Sequence, residues 1–159
     1  MKMLMPLLLC CFLCGCITIV YSKHTLRLPE HSAYHVKASK LVVRMGGDLR
    51  AYTSSPLIFH SDGTVTRYRA LTYYAPIDTI VESVLSKASQ FTGTTPLRIS
   101  LERFCIEEGA EGARVSVRLS IPNAPASEAV QPLPENYDAA TVATALARAL
   151  SEAYISIIR

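Results

Sequence analysis

The sequence predicts a single α/β domain of about five mostly antiparallel strands and two main helices, set behind an apolar leader. Three observations lead there. Apolar residues alternate at Leu97, Ile99 and Leu101 and again at Ala113, Val115, Val117, Leu119 and Ile121, the two-residue period of a half-buried strand. Two longer stretches, Ile77 to Ala88 and Val142 to Ile157, repeat apolar residues every three or four positions, as an amphipathic helix does. Between the β-prone runs 57–60 and 65–69 lies Asp62-Gly63, a hairpin signal.

Reading from the start, Lys2 precedes an apolar run from Met3 to Leu13, followed by Leu13-Cys14-Gly15-Cys16. This Leu-x-Gly-Cys order is the pattern of a bacterial lipoprotein signal: a small residue before the cut suits a processing enzyme, and the thiol of Cys16 accepts a diacylglyceryl group. The expected organisation is a signal peptide over 1–15, a lipidated tether over 16–38 and a folded domain over 39–159. A single membrane-spanning anchor is the other reading, because Met3 to Tyr21 approaches the roughly 20 residues a spanning helix needs. Pro6 and the Gly15-Cys16 pair weigh against it. Ile17, where an aspartate would retain the protein at the inner membrane, points to outer-membrane sorting with the domain in the periplasm; the inner membrane is the alternative.

Cleavage before Cys16 removes Cys10, Cys11 and Cys14, and lipidation occupies Cys16, so Cys105 is left without a disulfide partner. The fold must therefore be held by its core. Within Phe104-Cys105-Ile106 this thiol reads as a small buried hydrophobe.

The elements follow in order. The segment 22–31 reads as an extended tether. Leu41-Val42-Val43, closed by Gly46-Gly47-Asp48, reads as the first strand and a turn. The hairpin at 57–69 comes next, with Asp62-Gly63 supplying its positive φ angles. Pro76 opens a helix whose stripe is Ile77, Ile80, Val81, Val84, Leu85 and Ala88, ending near Gln90; Asp78 and Glu82 lie early and Lys87 late, as the helix dipole favours. The strand from Leu97 changes phase at Arg103-Phe104, which a bulge would reconcile. A loop from Glu107 to Gly112 leads to the partner strand. Residues 122–135 hold four prolines and read as a loop without strong structure. Asp138 then caps a last helix whose stripe runs through Val142, Leu146, Ala149, Leu150, Ala153 and Ile157. Ile155 and Ile158 widen that stripe, which fits either deep packing or contact with a neighbouring copy in a homo-oligomer.

A formal charge of +3 with no basic block excludes the electrostatic footprint of a nucleic-acid binder. The polar faces of the two long strands carry arginines, Arg114 and Arg118 among them, and that face either meets water or receives an acidic or headgroup-bearing partner. Nothing in the sequence calls for a cofactor: there is no Gly-x-Ser-x-Gly, phosphate loop or dinucleotide fingerprint. His31-x-x-x-His35 would need further ligands to hold a metal, and His24 and His60 read as isolated surface histidines. Asp78 and Glu82 read as a solvated helix face. These features favour a non-enzymatic protein over a small hydrolase.

The order of elements behind this signal resembles the ABC-type transport auxiliary lipoproteins, the group that includes the paraquat-inducible protein C lipoproteins. The resemblance is carried by Cys16, by Thr25-Leu26 with Pro29, by the block from Leu57-Ile58-Phe59-His60 to Tyr68, by Tyr73-Tyr74-Ala75-Pro76 opening a helix, by Leu97-Ile99-Leu101 with Phe104, and by the alanine-rich last helix. Where the family commonly has a tryptophan, this chain has Tyr73 or Tyr74; and its proline-rich stretch before the last helix is shortened, which puts an extra strand there in doubt. The resemblance implies a three-layer α/β fold with a mixed sheet, lipid attachment at Cys16, and a non-catalytic docking role in intermembrane lipid transport. The implied partner is the cell-entry-domain substrate-binding protein of an ABC transporter, with Tyr73, Tyr74, Arg114 and Arg118 as the expected partner-binding residues. A structural or regulatory lipoprotein binding peptidoglycan or a wall-synthesis enzyme is the alternative function.

Overall fold

The computed structural model describes residues 24–29, 32–46 and 54–159. The signal peptide, Cys16, the start of the tether, His31 and the Gly47-Asp48 turn lie outside the described residues.

The hub of the molecule is its longest strand. Among the described residues, eight strands, β1 (Tyr34–Val36), β2 (Leu41–Met45), β3 (Leu57–Phe59), β4 (Val65–Arg67), β5 (Ser89–Phe91), β6 (Leu97–Gly109), β7 (Gly112–Ser120) and β8 (Ser127–Pro132), and two helices, α1 (Ile77–Lys87) and α2 (Ala139–Ile158), make an open α/β fold. Six strands form one mixed sheet in the order β4-β3-β6-β7-β8, with β2 also on β6. One side of β6 takes β7 antiparallel. Its other side takes β2 parallel along Leu97–Leu101 and β3 parallel along Cys105–Glu107. The register with β7 shifts between Leu101 and Arg103, so Glu102 is the extra residue that rephases the strand. That bulge lets Ile99 and Leu101 before it and Phe104 and Ile106 after it all be buried.

The helices cover this sheet with the stripes the sequence shows. Ile77, Ile80, Val81 and Leu85 of α1 are buried, and α1 lies against β2. Asp138 caps α2, its Oδ1 accepting from the Thr141 backbone N–H at 2.8 Å. α2 is long and apolar enough to cross a membrane by length and composition. In the fold it is the core helix: Val142, Leu146, Ala149, Leu150 and Tyr154 are buried, against β7 and β8.

Four sequence expectations are corrected. Part of the stretch expected as tether, 16–38, belongs to the folded domain: Leu26 is buried in the core and Tyr34–Val36 forms β1. α1 stops at Lys87 rather than near Gln90: Ser89 Oγ donates to the Leu85 carbonyl at 2.7 Å, and Ser89–Phe91 leaves the helix as β5, parallel to β1. The expected loop 107–112 is mostly strand, since β6 and β7 run on to a Gly109–Gly112 pair and only Ala110-Glu111 turns between them. Finally, the proline-rich stretch contains β8, paired with β7 from Ser127 to Pro132. Proline is tolerated there because β8 is an edge strand: Leu133 N–H bonds the Ala113 carbonyl, which leaves the nitrogen of Pro132 on the open side.

The hairpin differs in detail. Gly63 alone takes a positive φ (82°), while Asp62 accepts from the backbone N–H and the hydroxyl of Thr64, a loop longer than a two-residue turn.

Candidate functional site

A docking role asks for exposed apolar or charged side chains held on rigid elements. The structure separates the four expected partner-binding residues into two places. Tyr73 and Tyr74 lie just ahead of α1. Tyr73 is buried, and its hydroxyl has no hydrogen-bond partner among the described residues. Burial pushes its phenol well above the ordinary range. Tyr74 instead is 74% exposed. Both line a cleft of 190 Å³ walled by His24, Leu26, Ile80, Val84 and Lys87. The sequence could not say which tyrosine faces out. The bend before α1 turns Tyr73 inward and Tyr74 outward, and Leu26 from the incoming segment contributes to the cleft's lining.

Arg114 and Arg118 lie on the outer face of the sheet, within a lattice of opposite charges. Arg114 Nε donates to Glu107 Oε2 at 2.8 Å. Arg103 Nη1 lies between Glu107 Oε1 at 3.1 Å and Glu128 Oε1 at 3.0 Å. Arg118 Nε is 3.1 Å from Glu102 Oε2, as an ion pair and not as an aligned hydrogen bond. The Ser116 hydroxyl also donates to Glu128, and this bond, reinforced by Arg103, holds that carboxyl below its ordinary value. Three arginines thus meet three glutamates, so the face is charged but locally balanced rather than a bare cationic patch. The bulge residue Glu102 and the β8 residue Glu128 complete the balance, and neither is visible as a partner until the strands are paired.

A second cluster was missed at the sequence level. His60, read there as an isolated surface histidine, has Nδ1 2.8 Å from Glu108 Oε2 and Nε2 2.7 Å from Thr66 Oγ1. Tyr137 donates its hydroxyl to the other oxygen of Glu108 and stacks obliquely on Tyr68. The Tyr137 hydroxyl and then His60 hold the Glu108 carboxyl below its ordinary value. A hydroxyl, an imidazole and a carboxylate stand here in the order of a hydrolytic relay, with Thr66 on the edge strand β4, whose three residues are all exposed. The chain of bonds ties the hairpin to β6 and to the segment ahead of α2.

Glu82 departs from the solvated face expected of it. Its Oε2 accepts from the Val43 backbone N–H at 2.8 Å, capping a donor on the side of β2 that faces away from β6. His35 stands on β1, in extended backbone where the i, i+4 helical spacing does not apply. Among the described residues no group of three His, Cys, Asp or Glu side chains could hold a metal ion. Cys105 is a free, buried thiol.

The architecture has counterparts among solved structures. A protein of Xanthomonas campestris, described as belonging to DUF330, a domain family of unknown function, superposes with a TM-score of 0.54 at 16% identity, covering 82% of this chain and 87% of that one. A crystal structure of an uncharacterized protein superposes with a TM-score of 0.52 at 12% identity, covering 86% of this chain and 95% of that one. The likeness is one of fold. No family model matches the chain, and no curated protein matches it.

Proposed function

We propose that the protein is a membrane-anchored periplasmic lipoprotein that serves as the non-catalytic docking component of an ABC-type intermembrane lipid transport system. Cys16 carries the lipid, the outer membrane is its site, and the domain captures the cell-entry-domain protein that crosses the periplasm. The sequence pattern around Cys16 and the shared fold with a DUF330 protein support this reading. The observation that carries the docking role is Tyr74: a large aromatic side chain left 74% exposed over a cleft, beside the segment that leads to the anchor. Tyrosine in such a position is a common energetic anchor of protein interfaces.

Copurification tests it. Native lipoprotein solubilised from membranes brings down the cell-entry-domain protein, and Tyr74→Ser lowers recovery about tenfold, in keeping with ~1–2 kcal/mol for an interfacial aromatic. Native protein that recovers no cell-entry-domain protein refutes the transport reading. Recovery unchanged by the substitution moves the docking surface away from Tyr74.

A further inference from the structure

β1 and β5 form a two-stranded parallel ribbon of three residues each, apart from the main sheet. Its bonding shows which way each residue of β1 faces. Tyr34 N–H bonds the Ala88 carbonyl at 2.9 Å and the Val36 carbonyl accepts from Thr92 N–H at 3.0 Å, so Tyr34 and Val36 face β5. In a strand the alternate residue faces the other way. The N–H and C=O of His35 therefore point off the open side of the ribbon, where His35 itself is exposed.

The last turn of α2 lies along the same ribbon. Two grooves meet at Ile158: one of 410 Å³ lined by Ala33, Tyr34, His35, Ile155 and Arg159, the other of 310 Å³ lined by Val36, Lys37, Pro96, Leu97 and Ile157. The ribbon is fixed rigidly against α2. Tyr34 and Ser151 hydroxyls are 2.8 Å apart, Ser89 and Tyr154 hydroxyls 3.1 Å apart, and the Tyr34 and Tyr154 rings meet edge to face with centroids at 4.9 Å. An open strand edge thus runs beside two recesses already in place, a mainly apolar one by Val36, Leu97 and Ile157 and one of mixed lining by Tyr34, Ile155 and Arg159.

The charge of this pole is one-sided. Residues 32–46, 86–101 and 153–159 contain Lys37, Lys40, Arg44, Lys87, Arg98 and Arg159 and no aspartate or glutamate. The acidic side chains that approach from neighbouring elements are engaged, Glu82 by the Val43 N–H, Glu152 by Gln131 Nε2, and Glu102, which lies close to Gly46, by Ser120 and Arg118. The ion pairs of His60 with Glu108 and of Arg103, Arg114 and Arg118 with Glu102, Glu107 and Glu128 lie on the hairpin and the sheet face, and they do not involve Lys37 or Arg159.

We infer that the open edge of β1, with the two grooves around Ile158, binds an extended, acidic segment of a partner protein, which adds a strand beside His35, places alternate apolar side chains in the grooves and sets its carboxylates against Lys37 and Arg159. The inference rests on the docking role proposed above and specifies the chemistry of what is docked. Main-chain pairing at a strand edge supplies affinity, and the flanking recesses select side chains. A lipid headgroup would satisfy the cations but offers no backbone to the strand. A second copy meeting edge to edge would set Lys37 and Arg159 against their own like charges.

The test uses the mature lipoprotein in detergent and an acetylated eight-residue peptide alternating glutamate with valine, against the same peptide with lysine for glutamate. The acidic peptide binds, slows hydrogen exchange in the 33–38 segment, and loses affinity as salt rises; the lysine peptide does not bind. His35→Pro removes only an outward-facing N–H, which an edge strand tolerates, and together with Lys37→Glu/Arg159→Glu it serves as a probe. Each variant retains the thermal midpoint and weakens peptide binding at least tenfold. Equal binding of both peptides, no binding of either, or protection outside 33–38 overturns the inference. So does uptake of phosphatidylglycerol vesicles by protein in neutral nanodiscs that the acidic peptide does not compete, or sedimentation showing self-association abolished by His35→Pro. A variant that loses the peptide yet still recovers the cell-entry-domain protein leaves the docking role standing and removes this surface from it.

Discussion

Cys105 shows how a residue's chemistry is set by the fold around it. The sequence marks it as a lone thiol in an apolar strand, and the structure places it fully buried, paired across the sheet with Ser116. Burial, with Glu107 nearby, pushes its thiol up to about 12. Thiolate is the reactive form, so at pH 8 the native protein should be nearly inert to Ellman's reagent, and labelling should follow the urea unfolding curve. Rapid, stoichiometric labelling of the native protein would contradict this placement. Asp138 is a residue of the opposite kind: its role was legible from local order alone, because an aspartate three residues before Thr141 can cap a helix whatever the rest of the chain does. Glu82 and Tyr137 were not legible, since their partners, the Val43 N–H and Glu108, lie far away in sequence and are brought near only by the sheet.

Among the elements, those with a long repeat were readable and those with a short one were not. The stripes of α1 and α2, the alternation of β7 and the phase break in β6 each span enough residues for a period to emerge. β1 and β5 have three residues each, too few for a period, and β8 lies between prolines that argue for a loop. The hairpin was legible from Asp62-Gly63, but its attachment was not. That attachment is the His60–Glu108–Tyr137 cluster, and it carries a pH dependence. Its hydrogen bonds lower the Glu108 carboxyl below the ordinary 4.5. A lowered folded value means stability that is fully present above the ordinary value and lost as pH falls through the folded one. Glu108→Gln should therefore flatten the fall of the urea midpoint between about pH 5 and about pH 3. Some slope remains from Glu128 and Asp138, whose carboxyls are also lowered. The Glu108 side chain is about one-third exposed, so solvent screening keeps the effect modest. A variant with the same pH profile as the parent would show that the clasp contributes nothing in solution.

For the whole molecule, the proposed anchor and the domain are separable in energy and joined in geometry. Among the described residues the core begins at Leu26, while the proposed membrane attachment draws on Cys16. Each acyl methylene in the bilayer contributes ~0.8 kcal/mol, and several chains together hold a protein effectively without release. Between Cys16 and His24 the chain extends to at most about 28 Å. His24 and Thr25 line both the Tyr74 cleft and a second cleft against Ala140 and Thr144, at the N-terminal end of α2. The other end of this 20-residue helix lies about 30 Å away, and it carries the basic pole at Ile158. The Tyr74 cleft is thus the surface nearer along the chain to Cys16, and the β1 edge lies toward the opposite end of α2. Removing the anchor should abolish attachment without unfolding the domain. Cys16→Ala should leave the protein unacylated and either unprocessed or free of membranes, while the domain keeps the thermal midpoint of the parent and the slow Cys105 labelling. Processed, acylated and membrane-bound Cys16→Ala protein would remove Cys16 from the attachment role. A lowered midpoint would show instead that residues before Leu26 belong to the core.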